Sequence, residues 1–286
     1  MFSQTPSIGD PGVFATLAML WVCGPVAAQT IIPIEQNRSV SNEQVNAPQC
    51  TGDFLFDGEA AIGFDPFDAL VQTQHGCDSG FAGATACQQS QIDAASMSAT
   101  GTATSEAGGP VPGVVHAFAI SHFVVTFEVS SSSRFSLDGI MSAGSSPDAN
   151  VGAIVLARLW EDLVGGVLIL EQSVEPGPGG RLDTEPLESD GSLEPGVYTL
   201  DVQAGTFIDN DVPPSRTGQA SFDFTFGVAI LGDLDGDGAV GILDFLILLA
   251  GWEPCDEPCP PSCPADVDGD CTVDIADFLA LLANWS

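Results

Sequence analysis

The feature that most restricts how this chain can fold is an alternation of apolar and polar side chains with a period of two. In HFVVTFEVS (122–130), Phe123, Val125, Phe127 and Val129 fall on one face. His122, Thr126 and Glu128 fall on the other, with Val124 the one apolar exception. In SFDFTFGVAI (221–230), Phe222, Phe224, Phe226 and Val228 alternate with Ser221, Asp223 and Thr225, and in VYTLDVQA (197–204) Tyr198, Leu200 and Val202 alternate with Thr199, Asp201 and Gln203. A strand sends successive side chains to opposite faces, so these segments read as half-buried strands. SRFSLDGIM (133–141), AIVLARLWED (153–162) and GVLILEQSV (166–174) are further candidates, and SATGTATSEAGG (98–109) is a weaker strand running into a loop. Between them lie turn signals: Ser145-Ser146-Pro147-Asp148, Gly177-Pro178-Gly179-Gly180, Glu194-Pro195-Gly196 and Pro213-Pro214. Short strands joined by Gly/Pro-rich turns predict a mainly β fold, a jelly-roll-type β-sandwich over residues 50–230. Residues 29–49 are polar with little periodicity and read as a linker or an edge strand.

The alternation stops at Ile230, and a tandem repeat follows. DLDGDGAVGILDFLILLAGW stands at 233–252 and DVDGDCTVDIADFLALLANW at 266–285. Counting twelve positions from Asp233 puts Asp233, Asp235 and Asp237 at 1, 3 and 5, Gly238 at 6 and Asp244 at 12. From Asp266 the same count gives Asp266, Asp268 and Asp270, Cys271 at 6, Asp274 at 9 and Asp277 at 12. Calcium is a hard cation that takes roughly six to eight oxygens, and an EF-type loop supplies them at these positions. Position 7 gives a backbone carbonyl, here Ala239 and Thr272. The expected cofactor is therefore Ca2+, two ions per chain. Val240 and Val273 at position 8 are expected to pair the two loops through a short β contact. After position 12, Phe245, Leu248, Leu249 and Trp252 are spaced i, i+3, i+4, i+7, and Phe278, Leu281, Leu282 and Trp285 repeat that spacing. Two short helices are expected, each burying its stripe against the other.

No helix precedes either loop. The first follows the strand ending at Ile230, and the second follows the Pro-rich 260–265, which cannot be helical. Each unit is a calcium loop plus an exiting helix. Two such half-hands in tandem resemble the dockerin domain, the module that plugs into cohesin receptors. The resemblance covers 231–286 and implies a small all-α domain. Its Ca2+ ligands would be Asp233, Asp235, Asp237, Asp244, Asp266, Asp268, Asp270 and Asp277, with Asp274 acting through water. It also implies a cohesin-like or cell-envelope partner. Dockerins usually carry hydroxyl residues at loop positions 10 and 11 and basic residues near 18 and 19. Here stand Ile242, Leu243, Ala250 and Gly251, then Ile275, Ala276, Ala283 and Asn284. An apolar docking face and the absence of any receptor both stay open. In the sandwich, GSLEPGVYTLDV (191–202) is similar to the penultimate strand of several bacterial extracellular sandwich modules.

Charge and cysteines place the chain. There are 39 acidic residues against five basic ones, all arginine, for a net charge of −34. Such a surface repels nucleic acid and anionic membranes. The apolar run Val13 to Val22, with Val26-Ala27-Ala28 after it, reads as a signal peptide over 1–28 and is too short to span a bilayer. Secretion to the exterior or cell surface is expected, and with it disulfides. Cys77 and Cys87 are close enough in sequence to close a small loop. Cys255, Cys259, Cys263 and Cys271 can form two bridges in three pairings, with a zinc site from all four as the rival. Seven cysteines after cleavage leave one thiol over.

A catalytic centre is not legible. His116 and His122 share a strand face with Glu128, where a metal or acid/base site is conceivable, but a polar strand face explains them as well. No enzyme is expected. Three function classes follow: a non-catalytic secreted calcium-binding protein with a docking tail; a carbohydrate-binding or glycoside-hydrolysing module acting on a polysaccharide; and a structural envelope or matrix protein. Sugar-binding sandwiches present rows of exposed aromatics. Trp160 is the one tryptophan between the leader and the repeats, and Tyr198 is buried by pattern, which argues against the second class.

Overall fold

A computed structural model describes residues 31–45, 55–77, 80–109, 115–147, 150–162, 166–210, 215–255 and 263–285. The expected leader, Cys50 and Cys259 lie outside them. Among these residues twelve strands run from β1 to β12: Ile31–Val45, Leu55–Ala60, Phe67–Cys77, Gly80–Ile92, Ser96–Gly108, Val115–Val129, Ser133–Ser145, Val151–Glu161, Val167–Val174, Asp183–Leu193, Gly196–Asn210 and Arg216–Ile230. They form two antiparallel six-stranded sheets, ordered β2-β1-β6-β11-β8-β9 and β10-β7-β12-β5-β4-β3.

The order shows how the chain wraps. β5 pairs with β12, β6 with β11, β7 with β10 and β8 with β9. From β5 to β8, and again from β9 to β12, successive strands alternate between the sheets. An eight-stranded ribbon folded in this way is a jelly roll, here widened by β1–β2 on one sheet and β3–β4 on the other. The segment 191–202 spans the end of β10, the turn at Glu194-Pro195 and the start of β11, the penultimate strand.

Alternating residues fill the space between the sheets. Phe123, Phe127, Phe222, Phe224, Phe226, Tyr198, Leu200 and Val202 are all buried. Phe123 meets Phe224 edge-on at 5.2 Å, and Phe127 lies 5.5 Å from Phe226. Such ring pairs add to the area they bury.

Residues 31–45 are neither linker nor edge. β1 lies between β2 and β6. Its inward positions include Arg38 and Asn42, both fully buried, so no apolar period marks the strand. The Arg38 Nη2 donates to the carbonyls of Gly63 and Asp65 at 2.9 and 2.8 Å, and Nη1 to Ser90 Oγ at 3.3 Å. A second expectation fails in β3–β4. In that hairpin Cys77 faces Gly80 and Cys87 faces Leu70, too far along the ladder for a bridge. Cys87 is a free thiol, 2.9 Å from Thr102 Oγ1.

After Ile230 the described residues form two nine-residue helices set in irregular loops rather than an all-α domain: α1 (Ile242–Ala250) and α2 (Ile275–Ala283). Val240, Leu248, Ala265, Val267, Val273 and Leu281 form a small core of their own, with Leu231 and Ile230 of the sandwich packed against it.

Candidate metal centre

The sequence repeat becomes a structural repeat. In loop 1, Asp233, Asp235 and Asp237 bring carboxylate oxygens within 4.8 Å of one another; in loop 2, Asp266, Asp268 and Asp270 do the same. Like charges this close repel unless a cation, a proton or N–H donors offset them. Backbone donors are present. Gly236 and Gly238 N–H donate to the two oxygens of Asp233, each at 2.9 Å. Gly269 and Cys271 N–H donate to the two oxygens of Asp266 at 2.8 and 2.9 Å. Asp235 and Asp237 each accept one N–H, from Asp237 and Ala239, so the second oxygen of each is left for another partner. Burial pushes the Asp233 carboxyl above its usual value, the Asp244 and Asp237 charges add to this, and the two glycine N–H groups oppose it. Asp268 is raised as well, by lost hydration and by the charges of Asp277, Asp270 and Asp266. Three carboxylates whose oxygens converge this closely are a donor set suited to a hard divalent cation.

Asp244 and Asp277 stand apart from these groups. Both are buried. Asp244 Oδ1 accepts from Leu234 N–H at 2.6 Å and Asp235 N–H at 3.0 Å, and Oδ2 from Gly241 N–H at 2.6 Å. Asp277 repeats the pattern with Val267, Asp268 and Asp274 at 2.6, 3.1 and 2.7 Å. Each clasps the start of its loop to the first turn of its helix, a role the ligand count alone does not reveal. Asp274 caps α2, accepting from Ala276 N–H at 2.7 Å. Ala239 and Thr272 are in place at position 7, each donating its N–H to the position-5 aspartate.

Position 6 bends as the spacing requires. Gly238 has φ 87, and Cys271, with φ 71, is the only non-glycine of positive φ among the described residues. Cys271 is disulfide-bonded, and Cys255 is bridged to Cys263. These bonds occupy the sulfurs a zinc site would need and overturn that rival.

Two expectations about the helices change. The position-8 valines do not bridge one another. Val240 bridges Trp285 beyond α2, while Val273 N–H donates to Glu253 O beyond α1 at 3.1 Å. Each loop is therefore stitched to the segment after the other unit's helix. The apolar stripes are only half buried. Phe245 and Phe278 pack 5.5 Å apart, and Leu248 and Leu281 are fully buried. Leu249, Trp252, Leu282 and Trp285 are exposed. Asp244 and Asp277 must turn into the loops, which rotates the buried arc away from Leu249 and Leu282.

The sandwich holds this unit at two points. Leu231 N–H donates to Ser132 O at 2.9 Å. Arg134 of β7 donates from Nη2 to Val267 O at 2.6 Å and to Asp266 O at 3.4 Å. Nothing in the spacing around Arg134 foretold this.

The histidine face is a set of cross-strand pairs. His116 Nδ1 lies 3.3 Å from Asp209, and His122 Nε2 lies 3.0 Å from Asp201, which also accepts from Arg158 at 2.8 Å. Burial raises the Asp201 carboxyl, but the hydrogen bonds and charges of His122 and Arg158 outweigh it and hold the carboxyl below its usual value. Glu128 is exposed on the same face.

No family model matches this chain, and no curated protein matches it. Among solved structures, the enzymatically active domain of tailspike protein 4 of bacteriophage CBA120 aligns at 11% identity and TM-score 0.23, over 56% of this chain and 19% of that one. This chain thus spans about a fifth of that domain. A structure described as CBM4 structure and function aligns at 12% identity and TM-score 0.20, over 45% of this chain and 84% of that one. The infectious bursal disease virus Gt strain structure aligns at 11% identity and TM-score 0.24, over 72% and 60%. Likeness this weak carries no argument about function.

Proposed function

We propose that the chain is a secreted, non-catalytic calcium-binding protein whose C-terminal unit holds two Ca2+ ions and docks the chain to a cohesin-like or cell-envelope protein through an apolar helix face. The first ion would be held by Asp233, Asp235, Asp237, Asp244 and the Ala239 carbonyl. The second would be held by Asp266, Asp268, Asp270, Asp277 and the Thr272 carbonyl, with Asp274 through water. Bound calcium supplies the positive charge that lets each carboxylate group converge, so binding and folding of the unit are one process.

The observation that carries the docking reading is the outer surface of the two helices. Ile242, Leu246, Leu249 and Trp252 are exposed on α1 and just beyond it, and Ile275, Leu279, Leu282 and Trp285 stand exposed at the equivalent places of the second unit. The only acids on the helices, Asp244 and Asp277, face inward. A helix apolar on all sides is normally buried on all sides, and a contiguous exposed patch of this kind marks an interaction site. The Cys255–Cys263 disulfide suits an oxidising compartment outside the cell. Among the described residues no helix is long and apolar enough to cross a membrane.

Calorimetric titration of calcium into the oxidised full-length protein, with circular dichroism in parallel, tests the reading. Saturation at two ions per chain with a gain in helix is expected; no binding at millimolar calcium overturns it. Leu246→Asp with Leu279→Asp should keep both ions yet abolish calcium-dependent retention on the host's envelope fraction. Unchanged retention would overturn the helix face as the docking surface, and retention indifferent to calcium would leave the ions a purely structural role.

A further inference from the structure

Near one end of the β2-β1-β6-β11-β8-β9 sheet, beside the buried Ile208 and Val151, two phenylalanines point outward while their small neighbours point in. On β6, Ala117 and Ala119 point into the sandwich and are buried, while Phe118 between them is 39% exposed. On β11, Ala204 and Thr206 are buried, while Phe207 is 48% exposed. Burial of apolar area alone would reverse these choices, since phenylalanine gains far more than alanine from leaving water. The register is set further along, where Phe123, Val125 and Phe127 are buried, and a period of two carries it to the strand ends.

The exposed rings line up. Phe207 faces Phe118, Phe118 faces Glu43 of β1, and Glu43 faces Phe56 of β2, itself 64% exposed. Directly opposed residues share a face. Phe56, Phe118 and Phe207 therefore form one row across the strands, roughly 14 Å long at the usual strand spacing. On the other side Phe207 faces Gly152 of β8, where an added β-carbon would stand 2.0 Å from the ring. Only glycine lets the ring lie across β8.

Beyond Gly152 the row opens into a cleft of about 610 Å3 lined by Phe207, Ile154, Ser146, Glu175 and Gly180. Gly180 has φ 77, and a β-carbon on it would stand 2.2 Å from Ser145 O, so this wall is fixed in place by backbone packing. The volume lies within the ordinary range for small-ligand sites.

We propose that this row and cleft bind a neutral glycan chain lying across the strands, with sugar rings stacked on Phe118 and Phe207 and one end in the cleft. Flat aromatic rings suit the C–H faces of pyranoses, and one strand spacing is close to the length of one sugar ring. The hydroxyls find donors and acceptors beside the row, in the His116–Asp209 pair and in Ser146 and Glu175. Glu43, Asp209 and Glu175 border the site on a chain of net charge −34, which rejects polyanionic glycans. An apolar peptide laid here would desolvate those carboxylates without pairing them. The site is separate from the docking tail and needs no calcium.

Affinity electrophoresis of the oxidised full-length protein tests it, in native gels cast with a soluble neutral glucan, xylan or mannan, and with alginate as the anionic control. Retardation by at least one neutral glycan and none by alginate is expected, unchanged by chelator. Phe207→Ala should weaken binding about tenfold, and Phe118→Ala with Phe207→Ala should abolish it. Phe207→Tyr, which keeps the ring, should retain it, as should Ile140→Ala on the opposite sheet. Thermal unfolding of the variants should match the parent. Absence of retardation by all three glycans, retardation that survives the double variant, or self-association through this face would each overturn the proposal.

Discussion

Set side by side, loop 1 (233–244) and loop 2 (266–277) share one hydrogen-bond frame, to which loop 2 adds Asp270 N–H to Asp266 Oδ1 at 3.1 Å and the Asp274 cap. The position-1 aspartate accepts from the N–H groups of positions 4 and 6, and the position-12 aspartate from those of positions 2, 3 and 9. Yet position 6 is Gly238 in one loop and Cys271 in the other, and both have positive φ. The carboxylates impose the bend, and the residue at its apex accommodates it. A side chain in the left-handed region costs about 1 kcal/mol, which the Cys271 disulfide can offset. The loops also differ in support. Loop 1 continues from β12 through Leu231 and Gly232, whereas loop 2 is held by Arg134 from β7.

The largest effects should come where the loops agree. Asp244→Ala and Asp277→Ala each strip three backbone N–H groups of a buried acceptor, a loss of ~3–5 kcal/mol. Because the units are stitched to each other, either change should abolish binding of both ions, read as calcium per chain by equilibrium dialysis. Loss of one ion only would show that the loops fold independently. Next comes the position where they differ. Cys271→Gly relieves the strained φ but removes a disulfide of typically ~2–4 kcal/mol, so the oxidised tail should lose about 2 kcal/mol. The matching change in loop 1, Gly238→Ala, should cost about 1 kcal/mol. Urea titrations followed by tryptophan fluorescence give both values, and a neutral Cys271→Gly would mean the disulfide adds nothing. Smaller again is the strap. Arg134→Gln removes a charged donor from the Val267 carbonyl, worth about 1 kcal/mol at a partly exposed site. Calcium affinity should fall at one site and hold at the other; equal loss at both would assign Arg134 to the whole unit.

How far residues announce their roles depends on whether they follow a period. Phe123, Phe224 and Leu200 alternate cleanly, so their strands were readable. β1 was not, because Arg38 and Asn42 occupy core positions where an apolar signal was needed. The exposed phenylalanines escaped for the opposite reason. In HAFAISHF the large residues Phe118 and Ile120 sit out of phase with Phe123 and Val125, a reversal that was visible but carried no meaning until register showed Phe207 beside Phe118. In the repeat, spacing located the converging aspartates but not the duty of Asp244 and Asp277 as clasps. That duty depends on the residues at loop positions 2 and 9 reaching the same carboxylate, a fact of three dimensions.

The smallest difference between the loops is also the cleanest to isolate. Gly241 and Asp274 occupy the same place at the head of their helices, with nearly the same backbone, φ −142 in both. Asp274 spends its carboxylate on the Ala276 N–H, and Gly241 has no side chain to offer. Glycine is itself a fair N-cap, so Asp274→Gly should cost only a few tenths of a kcal/mol in helix stability. Gly241→Asp has room, since an added β-carbon meets nothing nearer than Asp244 Oδ2 at 3.9 Å. The cap should gain loop 1 a similar few tenths of a kcal/mol when calcium is present. Without calcium the added charge sits beside the Asp233 group and should cancel the gain. The two substitutions exchange the loops' caps while leaving the carboxylates at positions 1, 3, 5 and 12 untouched. If the double variant binds calcium at both sites as the parent does, position 9 acts on the helix rather than on the ion. A drop confined to loop 2 on Asp274→Gly alone would instead place Asp274 among the groups that hold the metal.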